Sequence, residues 1–446
     1  MKAPICEFVK KYAQGGASRF HMPGHKGKPF LGFEGFDITE IEGADSLYHA
    51  HGIINESEEN ATALFGSQKT FFSTEGSSHV IRAMMYLAKS YKGGGYVLAT
   101  RNAHQSFISA SVLLDFDIKW INPKSGGYLC GKTDGAEIEK ALTCVDKMPF
   151  AVFVTSPDYL GNISDIKSIS EVCKRYDIPL IVDNAHGAYL KFLEGENHPI
   201  DQGAWLSSDS AHKTLPVLTG GAYMHIGKDA PKYFLENAKS ALALFGSSSP
   251  SYLTLCSLDN ANLYLNDGFN KMLSELARRV SALKSRLTEN GYTLIGDEKI
   301  KITVDTKKYG YYGEEIYKIL YKNGIVCEFY DRDYLVLMAS CQNSENDLLH
   351  LERVLLSIPK KSEIIDTPPA ILPCERKFSP REVAFLPKEE ISIENALGRV
   401  CADLNVACPP CVSVISAGEI YNESTIEASK YYGITKCKVV IQKSDT

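Results

Sequence analysis

The chain has 446 residues, 44% of them hydrophobic and 23% charged, enough for a sizeable core and two or three packed units. Its formal net charge of -6 and pI near 6.0 come without clustered Lys and Arg in either half, which speaks against a surface built to neutralise nucleic-acid phosphates. Small-molecule chemistry is the class that remains.

Residues 1–14 carry Lys10 and Lys11 behind their apolar positions, the reverse of a secretory signal. Apolar runs such as 151–154 are far shorter than the ~20 residues that cross a bilayer, so a cytoplasmic protein without a membrane partner is expected. In that compartment the twelve cysteines read as reduced core residues. Next, Phe71 and Phe72 form a short strand, and Ser73-Thr74-Glu75-Gly76-Ser77-Ser78 leads into a helix carrying Val80, Ile81, Met84, Met85 and Leu87. Glycine and hydroxyls at a helix start suit either a phosphate cradle or an ordinary N-cap. A strand over 96–99 precedes Arg101-Asn102-Ala103-His104, whose imidazole serves either to cover an aromatic cofactor or to hydrogen-bond within a loop.

Further strands are predicted over 151–155, 180–183, 204–207 and 222–226, all continuous apolar runs. Between the first two, Ile166, Ile169, Val172, Cys173 and Tyr176 follow helical spacing. This alternation predicts an α/β fold with a mostly parallel sheet. The 180–183 strand ends in Asp183, followed by Asn184-Ala185-His186-Gly187, where open α/β sheets bind ligands. Such a carboxylate either pairs with a pyridine nitrogen or caps a turn. The 204–207 strand runs into Ser208-Asp209-Ser210-Ala211-His212-Lys213. A lysine at a strand exit suits a Schiff base to a cofactor carbonyl, although a solvated loop lysine has the same local signature.

From about residue 270, Leu273, Leu276, Val280, Leu283 and Leu287 mark one face of a long helix that Gly291 can end. A smaller α+β unit follows, with strands over 301–304, 325–329 and 334–338 and a helix over 314–323. Six prolines between 359 and 387 predict an extended linker to a compact C-terminal segment. There Cys408 and Cys411 have half-zinc spacing but no second pair and no nearby His, so no metal site is assigned. The domains expected are an N-terminal arm (1–60), a large cofactor domain (61–270), a small α+β domain (271–360) and a C-terminal domain (361–446).

Several segments taken together resemble the ornithine/lysine/arginine decarboxylases, which have the aspartate-aminotransferase-like fold (fold type I). They are Phe20-His21-Met22-Pro23-Gly24-His25-Lys26-Gly27, Asp37-Ile38-Thr39-Glu40 with Gly43 and Asp45, Arg101 to Ser106, Thr155 to Gly161, Val182 to Ala188, Ser210 to Pro216, Ser248 to Tyr252, and Ala396-Leu397-Gly398-Arg399. The chain looks like the compact form of the family, without the extra N-terminal wing domain. The resemblance implies decarboxylation of arginine, lysine or ornithine with pyridoxal 5'-phosphate, supplying amines for polyamine biosynthesis. It implies that Lys213 carries the cofactor, Asp183 pairs with its pyridine nitrogen, His104 stacks on its ring and His186 sits beside the ring oxygen and the substrate carboxylate. Gly76, Ser77, Ser78, Ser210 and His212 would hold the phosphate. Ser248 and Ser249 would reach the neighbouring subunit's cofactor, which implies a homodimer with shared sites.

Three positions depart from the family pattern. Glu75 replaces an Asn, Asp158 a Thr, and Cys411 a Gly. A carboxylate at position 75 is unfavourable beside a phosphate unless it points elsewhere. Glu328, Asp331 and Glu419 are candidates for the substrate's distal cation. An aminotransferase on the same scaffold and a catalytically silent cofactor-binding homologue are the competing functions; intact Lys213 and Asp183 weigh against the second.

Overall fold

The computed structural model describes residues 1–121, 127–404, 410 and 412–441. Cys408 and Cys411 lie outside the described residues. Thirteen strands are assigned among those described: β1 Lys69–Ser73, β2 Tyr96–Thr100, β3 Asp117–Ile121, β4 Ala151–Thr155, β5 Leu180–Asp183, β6 Leu206–Asp209, β7 Ala222–Ile226, β8 Thr293–Ile295, β9 Lys301–Asp305, β10 Phe329–Tyr330, β11 Tyr334–Met338, β12 Lys388–Ser392 and β13 Lys436–Val440. The helices used below are α1 Pro4–Gln14, α2 Ile53–Phe65, α3 Gly76–Lys92 and α4 Gln105–Leu114.

The chain divides into two compact units, the first comprising 1–93, 150–153 and 166–274. Its strands run in the order β1-β7-β6-β5-β4. β5 and β6 are parallel, and β7 is antiparallel to both β6 and β1. Every residue of β1, β5, β6 and β7 is buried, so these strands show no in–out alternation, and the polar side chains among them need partners inside the unit. α2 ends where Gly66 takes a left-handed conformation (φ 63°) and returns its N–H to the Thr62 carbonyl. Its last residue, Phe65, is fully buried. The ring lies with its centroid 5.3 Å from Phe192, 5.2 Å from Tyr223, 5.8 Å from His198 and 4.4 Å from His225.

The second unit comprises 94–149, 154–165 and 275–446. It contains the order β4-β2-β3, a sheet ordered β10-β11-β9-β8 and the antiparallel pair β12-β13. β2 and β3 are parallel, and the four-stranded sheet is antiparallel throughout. The α/β architecture with mostly parallel central strands is therefore as expected. The division between units falls inside the long helix Phe269–Glu289, and Gly291 follows that helix at φ 89°. No helix among the described residues is long and apolar enough to cross a membrane.

Three local expectations are corrected. The strand expected over 204–207 is Leu206–Asp209, because pairing with β5 and β7 carries the ladder into polar Ser208 and Asp209. The strand expected over 325–329 is only Phe329–Tyr330. The proline-rich segment contains the helix Pro380–Phe385, started by Pro380 and a Ser379–Glu382 capping box.

Truncating Phe65 to Ala removes the side chain on which four rings converge. It is expected to cost ~3–5 kcal/mol, read as a lower midpoint in urea unfolding; a loss below ~1 kcal/mol would show that these rings repack.

Candidate active site

In the first unit, two adjacent parallel strands end side by side, and their exits carry the candidate chemistry. β5 ends in Asp183, which is 2% exposed. The next turn is closed by the Gly187 N–H bonding the Asn184 carbonyl (2.8 Å) and brings His186, also buried, back toward β6. β6 ends in Asp209, and the short helix Ala211–Thr214 carries Lys213. Lys213 Nζ lies 3.1 Å from His186 Nε2. Burial pushes the Asp183 carboxyl up to about 6; Lys213 pulls it part of the way back, and Asp209 adds to the rise. The Ala185 N–H bonds Asp183 Oδ1 at 3.2 Å.

A second cluster gathers at the start of α3. Gly76 has φ 74°, and its N–H bonds the Gly220 carbonyl at 2.7 Å. A Cβ there would meet no atom within 4 Å, so the glycine faces open space. Ser210 Oγ donates to Ser77 Oγ at 2.8 Å, joining the turn before Lys213 to the first turn of α3. Ser78 is half-buried in that turn. His212 Nδ1 lies 3.0 Å from the Gly221 carbonyl. A carbonyl only accepts, so the Nδ1 proton is fixed, and His212 Nε2 becomes a donor toward an anion only in the imidazolium.

Glu75 occupies the N-cap position of α3 without a side-chain capping bond; its Oε1 accepts the Ser247 N–H at 2.5 Å. The departure from the family pattern is thus engaged by the segment bearing Ser248 and Ser249, both exposed. His104 belongs to the second unit. There it is the N-cap of α4, with Nδ1 accepting the Ser106 N–H at 3.1 Å and lying 2.8 Å from Ser106 Oγ.

The other candidates also lie in the second unit. Asp158 is buried and accepts the N–H groups of Gly131, Leu160 and Asn162 at 3.1, 3.0 and 2.9 Å, so it stitches its own loop. Glu419 is bound through both oxygens by Arg101 (3.0 and 2.8 Å) and approached by Arg376 (3.4 Å). Asp331 is pushed up to about 6 by burial. Exposed Glu328 accepts from the Tyr159 hydroxyl at 3.0 Å.

Sequence reasoning missed Asn184, His198, Asp209 and His225. Asn184 Nδ2 donates to Asp209 Oδ1 at 2.8 Å, and Asp209 Oδ2 lies 2.9 Å from His198 Nε2 and 3.3 Å from His225 Nε2. One signal was available. His225 interrupts the buried run Ala222–Ile226, and a polar side chain inside a buried strand requires a partner.

Comparison with known proteins follows the same lines. The model of the Orn/Lys/Arg decarboxylase major domain matches residues 3–309. The arginine decarboxylase of Bacillus subtilis (strain 168) is 27% identical, over 95% of this chain and 92% of that protein. The arginine decarboxylase of Halalkalibacterium halodurans is 28% identical over the same shares, 95% and 92%. Among solved structures, the Francisella novicida lysine decarboxylase superposes with a TM-score of 0.79 at 16% identity, covering 98% of this chain and 81% of that one. That likeness shows the fold, the fold type I architecture expected from the sequence.

Asp183 gives a prediction independent of turnover. Its carboxyl is raised by burial, so in cofactor-free protein the folded state gains from holding a proton below pH ~4 and loses that gain as pH rises through about 6. Asp183→Asn is therefore expected to stabilise the cofactor-free protein at pH 8 by about 1–3 kcal/mol and to flatten the loss of stability between pH 4 and 7. Thermal melts of both proteins across that range check it; equal slopes would contradict it.

Proposed function

Because the chain belongs to the ornithine/lysine/arginine decarboxylase family, we propose that it removes the carboxylate of a basic L-amino acid as carbon dioxide, using pyridoxal phosphate held on Lys213. The observation that carries this function is the convergence at two neighbouring strand exits: a lysine amine 3.1 Å from His186 and a buried Asp183 in the field of that amine. These residues fit the cofactor by their chemistry. A carboxyl raised to about 6 gains from a cationic partner such as a protonated pyridine nitrogen, and the open face of Gly76 with the Ser77–Ser210 hydroxyl pair suits a phosphate.

When bound, pyridoxal phosphate supplies an electron sink for the pair left behind as carbon dioxide departs. Asp183 would pair with the pyridine nitrogen and keep its proton in place, which sustains that sink. His186 lies against the Lys213 amine and orients the substrate carboxylate. Lys213 Nζ would return a proton to the substrate's α-carbon, with His186 Nε2 3.1 Å away and in reach to relay it. Gly76, Ser77, Ser78, Ser210 and His212 would anchor the phosphate, and His104 is assigned to the cofactor ring on its motif. For the distal cation, Glu419 already has its charge matched by Arg101 and Arg376, which favours Glu328, and the names of the reported relatives favour arginine as substrate. The amine product suits polyamine biosynthesis. A cytoplasmic setting agrees with the free thiols of the described cysteines.

A homodimer with shared sites is part of the same proposal. Phe20 and Phe30 of the N-terminal arm are 95% and 90% exposed, a state that a second copy would relieve, and exposed Ser248 and Ser249 are the residues to reach across.

Two experiments test the proposal. Carbon dioxide and amine release is measured from arginine, lysine and ornithine separately. Release from one of them, reduced ~10³-fold or more by Lys213→Ala, is expected; no release from any, despite borohydride capture of the cofactor on Lys213, would overturn the substrate class. Mixing inactive Lys213→Ala protein with an inactive Ser248→Ala/Ser249→Ala protein should restore about a quarter of wild-type activity if the sites are shared. No recovery, with mixed dimers shown to form, would place every site within one chain.

A further inference from the structure

The fully buried group His198, Asp209 and His225 has the ligand types and spacing of a metal centre, but its hydrogen bonds assign it another task. His198 Nδ1 accepts the Ile200 N–H at 3.3 Å, so neutral His198 carries its proton on Nε2, pointing at Asp209 Oδ2 2.9 Å away. A metal on Nε2 would require that proton on Nδ1, against the Ile200 N–H. His225 Nδ1 pairs with the Thr70 hydroxyl at 2.8 Å, and its other ring nitrogen lies 3.3 Å from the same carboxylate oxygen, an ion-pair distance without a hydrogen bond. The second oxygen, Oδ1, accepts Asn184 Nδ2 at 2.8 Å and Ser207 Oγ at 3.2 Å. Both Asp209 oxygens are thus supplied with donors, and burial, which would neutralise the group, is outweighed by His198 and His225, which hold it well below the ordinary carboxylate range. The other charged or titratable groups that act on this cluster are Lys191 on His225, and Tyr223 and Asp183 in the field of Asp209.

We propose that Asp209, fixed by His198 and His225, is the positioning residue that sets Asp183 and His186 against Lys213. The carboxylate reaches both halves of the site. Along the chain it is one residue before Ser210, whose carbonyl accepts the Lys213 N–H at 3.1 Å. Across the sheet it grips Asn184, the residue directly after Asp183 and two before His186. Asn184 is fully buried, its N–H bonds the Ser208 carbonyl at 2.9 Å, and its carbonyl closes the His186 turn. Its side chain also lies where a Cβ on Gly187 would come within 2.0 Å of Asn184 Oδ1, so the turn and the Asn184 rotamer are locked together. Without the Asp209 grip the amide is free to rotate, and the 3.1 Å spacing between Lys213 and His186 loses its support.

This inference rests on the proposed cofactor site, and its test separates the two. Asp209→Asn and Asn184→Ala are compared with wild type in three measurements: borohydride capture of pyridoxal phosphate on Lys213 by mass spectrometry, the pH midpoint of the bound cofactor's absorbance, and kcat and KM. Capture on Lys213 in wild type supports the cofactor site, and its absence there would sink that site whatever the variants do. With capture retained, Asp209→Asn is expected to lower the absorbance midpoint by about half a unit or more, since a negative charge behind the site is removed. Both variants should lose ~10-fold or more in kcat with KM changed less than ~3-fold. Should Asp209→Asn fail to fold, Asn184→Ala alone decides, because it leaves the buried His198-Asp209-His225 group intact. A midpoint and kcat equal to wild type in every folded variant would overturn the positioning role.

Discussion

Burying a carboxylate without a matched cation is costly, and Asp183 sits under that constraint. It is closed off from solvent, burial raises its proton affinity to about 6, and the charge of Lys213 pulls it partly back. In the proposed function, that pair is the arrangement a cationic pyridine ring would match. Much of the first unit serves to bury Asp183 and to bring the half-buried Lys213 into its field. Four wholly buried strands carry them, and the parallel pairing of β5 with β6 brings both strand exits to one edge.

A second buried carboxylate shows the opposite treatment. Asp209 is as deeply placed as Asp183, but its oxygens are met by donors from His198, Asn184 and Ser207, with the His225 ring 3.3 Å away, and its proton affinity is lowered instead of raised. Two buried aspartates a short distance apart, one satisfied and one starved, are the pattern by which an environment drives proton affinities apart and assigns different tasks to like groups. In the roles proposed above, Asp209 holds position and Asp183 pairs with a cation.

Legibility in the sequence followed the range of the interaction. The strands over 151–155, 180–183 and 222–226 and the helix beginning at Ile166 were readable because apolar continuity and helical spacing are local signals. The place of Asp183 and Lys213 at strand exits was readable for the same reason. Asp209 was not singled out because its partners arrive from three separate segments, 184, 198 and 225, and no window of sequence brings them together. The shift of β6 from 204–207 to Leu206–Asp209 has the same origin, since polar Ser208 and Asp209 stay in the ladder through pairing with β5 and β7 rather than through propensity. His104 lies between these cases. Its motif was visible, and the structure gives its ring nitrogen a capping task in α4 that the motif did not announce.

The two departures that fall within the described residues are best understood through what their carboxylates bind. Asp158 takes three backbone N–H groups of its own neighbourhood, and Glu75 takes the Ser247 N–H. An extra negative charge is tolerated where local donors compensate it, and a backbone N–H is a donor that no substitution elsewhere except proline removes. Glu75 illustrates the consequence most clearly. Its position at the head of α3 would set it against an incoming phosphate, yet its hydrogen bond ties it to the 247–249 segment, so the charge that looked like a liability in the sequence becomes a tether for the residues proposed to reach the neighbouring subunit.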